Sequence, residues 1–126
     1  MIRVLIFFIF SSYLYANDIQ KAFLASIYDN QYNLIENVQH KTITNNKYFG
    51  TYLFNVVVIG NYNKNVKVVT KINNSVGKLI KTEVLFNKIN KRVYGKILFF
   101  ELNVEQSGYF EVFINNKLYD TKVFIR

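Results

Sequence analysis

Short runs of β-branched and aromatic residues alternate along the chain with clusters of asparagine, glycine and lysine. This pattern is typical of β-strands joined by turns. The strongest run is residues 51–59 (TYLFNVVVI), which ends at Gly60 before the polar NYNKN. Residues 79–86 (LIKTEVLF) predict another strand, and the preceding residues 73–77 (NNSVG) have the composition of a turn.

Two segments alternate regularly enough to predict which side chains face the core. In residues 66–72 one face carries Val66, Val68, Thr70 and Ile72, and the other carries Lys67, Val69 and Lys71. In residues 96–104 the more apolar face, and hence the predicted core face, carries Leu98, Phe100, Leu102 and Val104.

The C-terminal part predicts a β-hairpin. Residues 109–114 (YFEVFI) and 117–125 (KLYDTKVFI) flank Asn115 and Asn116, and the preceding Ser107 and Gly108 separate this hairpin from the strand at 96–104. Asparagine tolerates a positive φ angle, which both central residues of a type I′ turn require. We therefore expect a two-residue turn at Asn115–Asn116.

The segment 18–44 is open to two interpretations. Asn17 or Asp18 is a suitable cap for a short helix that would place Ile19, Phe23 and Ile27 on one stripe. Alternatively, residues 22–28 (AFLASIY) form a first strand and residues 32–43 an irregular second one. We favour the strand.

Together these segments predict an all-β fold, a single antiparallel β-sandwich of about seven to nine short strands. The predicted core comprises Phe23, Ile27, Leu34, Phe54, Val56, Val58, Val68, Ile72, Ile80, Val84, Phe86, Leu98, Phe100, Leu102, Phe110, Val112, Ile114, Val123 and Ile125.

The order of these segments resembles small bacterial β-sandwich domains of immunoglobulin-like or C2-like topology. The resemblance covers most of residues 20–126, and the closing GYFEVFINNKLYDTKVFI is its most recognisable part. It is a pattern of apolar spacing without a functional motif. It therefore implies a fold, and it transfers no site residues because such domains serve many roles.

Residues 1–16 have the features of a secretory signal peptide. Arg3 is followed by the apolar run VLIFFIF, and SSYLYA leads to a cleavage site after Ala16. The apolar stretch is shorter than the roughly 20 residues that span a membrane, which disfavours an uncleaved anchor. The chain has no cysteine, so neither lipidation after the leader nor a disulfide is available. We expect a domain of residues 17–126 located in the periplasm or secreted.

The formal net charge of +8 is concentrated in one segment. Positive and negative side chains balance in residues 17–60, and residues 97–126 are slightly acidic. Residues 61–96 hold eight lysines and Arg92 against the single acid Glu83. Candidate anion- or partner-binding residues are Lys67, Lys71, Lys78, Lys81, Lys88, Lys91, Arg92 and Lys96.

Export argues against nucleic acid as the partner of this basic segment, and an envelope protein or anionic surface polymer fits better. The plainer interpretation is a solvated, lysine-rich sheet face whose charges discourage aggregation through a strand edge.

Residues with catalytic chemistry are sparse. His40 is the only histidine and has no catalytic partner nearby in sequence, and one histidine without cysteine cannot make a zinc site. Glu101 and Glu111 lie on strands expected to be neighbours, but alternation turns both away from the core. No calcium or phosphate-binding loop is present. We expect no catalytic residues, no metal and no cofactor.

The sequence thus predicts a non-enzymatic, exported binding module that contacts an envelope protein or an anionic envelope polymer. Two alternatives remain at this level. One is an accessory subunit of a surface or secretion assembly that joins its partner by strand addition, and the other is an inhibitor of a secreted hydrolase.

Overall fold

The computed structural model describes residues 19–61 and 65–126, which form an all-β structure of two antiparallel sheets packed face to face. The strands are β1 (Ile19–Tyr28), β2 (Leu34–Asn37), β3 (Gly50–Gly60), β4 (Val68–Ile72), β5 (Ser75–Val76), β6 (Lys78–Phe86), β7 (Val93–Val104), β8 (Gly108–Ile114), β9 (Lys117–Asp120) and β10 (Phe124–Ile125). The predicted signal peptide, residues 1–16, lies outside the described residues.

The first sheet has the strand order β2-β1-β3-β7-β6. The second has the order β10-β8-β4-β5, and β9 also pairs with β8. Ten strands are present in the described residues, against the predicted seven to nine. The difference arises from two-residue strands, β5 and β10, which are too short to leave a periodic signal in the sequence.

The core lies between the sheets, with β3 at the centre of the first sheet. Phe54, Val56 and Val58 of β3 face the second sheet and are fully buried. The ring of Phe54 stacks on that of Phe110 with centroids 5.2 Å apart, which joins β3 to β8 across the interface. The predicted core faces of β4 and β7 are confirmed, since Ile72, Thr70 and the even-numbered residues 98–104 point inward.

The opposite face of the first sheet is also rich in apolar side chains. Leu53 and Phe99 are buried there, and Ser26, Asn55, Phe99 and Lys81 are successive register partners across β1, β3, β7 and β6. This explains why residues 51–59 are mostly apolar on both faces rather than alternating with polar residues, because most side chains on either face of β3 are shielded from water. Asn55 Oδ1 is buried in this row without a hydrogen-bond partner among the described residues.

The ambiguous N-terminal segment is a strand, so the strand interpretation of residues 22–28 is confirmed. The turn at Asn115 and Asn116 is confirmed as well, with φ angles of 50° and 68°. The prediction of one strand over residues 117–125 is wrong: β9 ends at Asp120, and Asp120 Oδ1 accepts a 3.1 Å hydrogen bond from the Lys122 amide. This local side-chain acceptor favours a turn over continuation of the ladder.

Leu34 was expected in the core but is exposed, whereas Glu36 of the same strand is buried. The register of β2 against β1 shifts between the two positions, since Ile27 pairs with Glu36 and Tyr28 with Leu34, so the regular alternation is interrupted there. Carboxylate oxygens of Glu36 accept hydrogen bonds from Lys41 Nζ at 2.8 Å and from the Asn45 and Asn46 amides at 2.6 and 3.1 Å. The Tyr48 hydroxyl donates a further bond at 2.9 Å. One buried carboxylate therefore organises residues 38–49, the segment that connects β2 to β3.

The β2–β3 connection also forms hydrogen bonds to the C-terminal residues. The Tyr48 amide donates to the Arg126 carbonyl at 2.8 Å, and the Thr44 amide donates to the Phe124 carbonyl at 3.0 Å. The Arg126 amide in turn donates to Thr44 Oγ1 at 3.0 Å. The β2–β3 connection thereby links the edge of the first sheet to β10 in the second.

Gly77 allows the chain to cross from the second sheet to the first. Its amide donates to the Thr70 carbonyl at 2.8 Å. A Cβ atom at this position would lie 2.1 Å from Thr70 Oγ1 and 3.2 Å from Phe100 Cβ. Only glycine permits so close an approach to the core, and the crossing places β6 beside β7.

Candidate functional site

The hairpin made by β6, its turn and the start of β7 is the most exposed part of the described fold. We call residues 78–96 the β6–β7 arm. β6 is the edge strand of the first sheet and contacts no strand other than β7 among the described elements. Eight of its nine residues are exposed and Leu85 is half-buried. The second sheet does not extend beneath this strand.

The assignment of Ile80, Val84 and Phe86 to the core is therefore wrong, because all three are exposed on β6. Their alternation resembles that of a core strand. Burial, however, depends on a covering layer, and the second sheet ends before reaching them. The arm consequently presents apolar side chains to solvent, namely Leu79, Ile80, Val84, Phe86, Ile89, Val93 and Tyr94.

The eight candidate cations divide between the two sheets. Lys67 and Lys71 belong to the second sheet, before and within β4. The β6–β7 arm carries the other six, which are Lys78, Lys81, Lys88, Lys91, Arg92 and Lys96. The basic segment 61–96 is thus divided between the two sheets, because the chain crosses between them at Gly77.

Cations near the base of the arm lie beside acids. Lys81 Nζ is 3.0 Å from Glu83 Oε1, and this hydrogen-bonded ion pair raises the pKa of Lys81. Lys78 pairs in register with Glu101 on β7. In the second sheet Lys71 is likewise the register partner of Glu111. Of these cations Lys81 forms an ion pair, and Lys78 and Lys71 each lie opposite an acid on the neighbouring strand.

The turn differs. No ion pair involves Lys88, Lys91 or Arg92 within the described residues. The sequence contains no acid from position 84 to position 100. We call residues 86–94 the arm tip, and its three cations form the uncompensated part of the arm. Ile89, in the middle of the turn, is 95 % exposed.

Hydrogen bonds within the turn stabilise the conformation of the arm tip. The Asn87 amide donates to the Arg92 carbonyl at 2.9 Å, and the Lys91 amide donates to the Asn87 carbonyl at 2.7 Å. Asn87 Oδ1 accepts the Ile89 amide at 2.8 Å, and Asn90 Oδ1 accepts the Arg92 amide at 2.9 Å. Lys91 has a φ of 58°, the left-handed conformation that closes the turn.

Aromatic rings flank the arm on the outer face of the first sheet. Lys81 Nζ lies 5.0 Å from the ring centroid of Tyr32 and 5.5 Å from that of Phe99, within range for cation–π attraction. The Tyr32 and Phe99 rings meet edge to face at 5.6 Å. These contacts hold the Lys81 side chain against the sheet and away from the arm tip.

The residues considered for catalysis do not come together. His40 is exposed in the turn after β2. Glu101 and Glu111 were expected on neighbouring strands, which is wrong: β7 belongs to the first sheet and β8 to the second. Among residues 19–61 and 65–126, no three histidine, cysteine or acidic side chains are grouped to hold a metal ion.

Glu36 lies in a strongly perturbed environment, and the sequence pattern assigned it no role. Burial opposes its ionisation, but hydrogen bonds from Lys41, the amides of Asn45 and Asn46, and Tyr48 outweigh this effect and lower its pKa to about 2. Burial and the neighbouring Glu36 carboxylate raise the pKa of Tyr48. Every acceptor bond of Glu36 goes to the β2–β3 connection, so its role is structural.

Comparison with protein-family models, curated proteins and solved structures finds no match to this chain. Within the described residues no helix has the length and apolar character needed to cross a membrane.

Proposed function

We propose that this protein is an exported, non-enzymatic binding module of the immunoglobulin-like or C2-like β-sandwich class, and that its arm tip contacts an anionic surface of the cell envelope. The observation that carries the proposal is the arm tip itself. Lys88, Lys91 and Arg92 project from one turn without an acidic partner, beside exposed apolar side chains. The ion pairs in the described residues are Lys41–Glu36 and Lys81–Glu83, and neither involves the arm tip.

The signal-peptide features of residues 1–16 support an envelope partner. A chain that leaves the cytoplasm meets phosphate and carboxylate groups on lipids and surface polymers. Such groups attract lysine and arginine at distances up to about a Debye length, which is near 8 Å at physiological salt. Nucleic acid, which would also suit a basic turn, is not expected in that compartment.

Strand addition is the competing mode of contact, because β6 is a nine-residue edge strand. Features of β6 oppose it. Its register shifts between Leu79 and Lys81, and Lys78, Lys81 and Glu83 are distributed along it. Bulges and charged side chains are common means of preventing a partner strand from pairing with an edge. The arm tip therefore offers the better contact.

A charge-matched pair of variants tests the contact. The tip variant carries Lys88→Gln, Lys91→Gln and Arg92→Gln. The control carries Lys67→Gln, Lys71→Gln and Lys117→Gln, which remove the same charge from the second sheet. Binding to dextran sulfate is measured with rising NaCl. We expect the tip variant to bind roughly a hundredfold more weakly, at about fivefold per cation near an anionic surface.

The control variant should lose much less affinity, and wild-type binding should fall steeply with salt. Equal losses in the two variants would show that net charge alone drives binding and would overturn the assignment to the arm tip. Salt-independent binding would overturn the anionic contact altogether.

Export is tested by fractionating cells that express the full chain. We expect the protein in the periplasm or medium with Asn17 as its first residue. Recovery of the uncleaved chain from the cytoplasm would overturn this part of the proposal.

A further inference from the structure

The arm tip has apolar groups at its extremity as well as charge. Ile89 lies in the middle of the turn, at the point farthest along the chain from both strands of the hairpin. Phe86 and Val93 are register partners at the end of the hairpin, and both are exposed. Tyr94 follows on the β7 side and is exposed as well. The hairpin thus ends in an apolar group that projects outward.

Part of the backbone of the turn is hydrogen-bonded internally, which lowers the cost of bringing it toward a medium poor in water. Amide groups that enter such a medium unbonded carry a penalty of several kcal/mol each, which excludes most loops from it. Here the amides of Asn87, Ile89, Lys91 and Arg92 donate within the turn, to carbonyls or asparagine side chains of the same turn. The two asparagine side-chain oxygens are thereby used internally.

Lys88 directly precedes Ile89 in the sequence, and Lys91 and Arg92 follow it after Asn90. Lysine and arginine have long apolar stems and charged ends, so they lie along an apolar boundary while the charge reaches the phosphate layer. Tyrosine favours the same boundary, with its ring in the apolar region and its hydroxyl in water. Ile89, with basic and tyrosine side chains around it, has the combination of groups that suits a bilayer interface, where apolar acyl chains lie beneath charged headgroups.

We propose that the anionic surface contacted by the arm tip is a lipid bilayer, and that Ile89 enters its interfacial region while Lys88, Lys91 and Arg92 bind headgroup phosphates. This inference rests on the proposed function, because it names the surface that the arm contacts. Stable membrane binding by a peripheral protein takes more than one weak signal, and the arm tip combines an apolar one with a basic one.

Other occupants fit these observations less well. A second copy of the chain would bring an equally positive arm tip, and the two would repel each other. A soluble polyanion would engage the cations and leave Ile89, Phe86 and Val93 in water. A bilayer accounts for both kinds of side chain.

The chain contains no tryptophan, so one introduced tryptophan reports a single position. Ile89→Trp is compared with Phe49→Trp, a matched control at a residue that is 79 % exposed in the β2–β3 connection. The probes are vesicles of phosphatidylglycerol and phosphatidylcholine, vesicles of phosphatidylcholine alone, and dextran sulfate. We expect the fluorescence emission of Ile89→Trp to shift to the blue on the anionic vesicles only, and that of Phe49→Trp to stay unshifted on every probe.

Affinity is measured by vesicle co-sedimentation with Ile89→Ser. This variant should bind anionic vesicles about tenfold more weakly than wild type, as expected for withdrawing one isoleucine from an apolar environment. Its binding to dextran sulfate should be unchanged. Phe49→Ser should match wild type on both probes.

Wild-type affinity of Ile89→Ser for anionic vesicles, together with unshifted emission of Ile89→Trp, would overturn insertion. If the triple variant at Lys88, Lys91 and Arg92 still lost binding to both anionic probes, the proposed function would stand without the inference. If that triple variant bound both probes like wild type, both proposals would fail.

Discussion

The hydroxyl of Tyr48 donates a 2.9 Å hydrogen bond to Glu36 Oε1, and both side chains are buried in the angle between β2 and the connection that leads to β3. This bond joins the edge strand β2 to Tyr48, and the Tyr48 amide also donates a hydrogen bond to the Arg126 carbonyl. The edge of the first sheet, the β2–β3 connection and the C-terminus therefore depend on one carboxylate.

Replacing Glu36 by glutamine should destabilise the fold. The amide keeps the volume but removes the charge that Lys41 faces, and its NH₂ group would confront amide donors of the connection. We expect a loss of about 3 kcal/mol in the free energy of unfolding, measured by urea denaturation at pH 7. Glu105→Gln, at an exposed position, serves as control and should change stability by less than about 0.5 kcal/mol.

Glu36 should also make stability depend on pH in the acid range. Its folded pKa of about 2 lies below the ordinary 4.5, so the unfolded chain takes up the proton first as pH falls. The stabilisation is complete above pH 4.5 and is lost as pH falls from there toward 2. A shift of this size corresponds to about 3 kcal/mol. Wild type and Glu36→Gln should converge in stability over that interval, and parallel pH profiles would contradict this.

Gly77→Ala should weaken the crossing between the sheets. The added methyl group would meet Thr70 Oγ1 and the buried side chains of Phe100 and Leu102. Overpacking of this kind costs about 1–3 kcal/mol, which a denaturation curve resolves. Val76→Ala, at the exposed neighbouring position, is the control and should stay near wild type. A neutral Gly77→Ala would show that the crossing has room that the close contacts do not indicate.

Substitution by glycine should have opposite effects on stability at the two positions of the turn between β8 and β9. Asn115 Oδ1 accepts the Lys67 amide at 2.9 Å, whereas Asn116 supplies only a positive φ. Asn116→Gly should therefore stabilise the protein by a few tenths of a kcal/mol, because glycine adopts that conformation without steric cost. Asn115→Gly should lower the melting temperature through the lost bond. The reverse order of the two melting temperatures would refute this assignment.

The sequence predicted local structure best where a period of two was unbroken. The faces of β4 and β7 followed from alternation, and the turn at Asn115 and Asn116 followed from the φ preferences of asparagine. Val84 and Phe86 follow the same period, yet they are exposed. Their burial depends on how far the second sheet extends, which is a property of the whole fold and leaves no trace in β6 itself.

The candidate site was visible only as a concentration of lysines. Its division between two sheets depends on the crossing at Gly77, and the position of Ile89 at the end of the hairpin depends on the register of Phe86 with Val93. A lone apolar residue in a basic, asparagine-containing turn was the signal available in the sequence. Glu36 gave no signal, because a carboxylate in an apolar strand ordinarily indicates an exposed position.

The attachment of β6 through β7 alone has a consequence for how the protein opens. Its outer backbone groups face solvent, and few buried contacts oppose its separation from β7, so amides of β6 should exchange with deuterium through local fraying. Amides of β3, enclosed by strands on either side, should exchange only when the whole domain unfolds. A ligand bound at the arm tip would slow exchange of the β6 amides and leave that of the β3 amides unaltered. The exchange rates of β6 relative to those of β3 would therefore report binding.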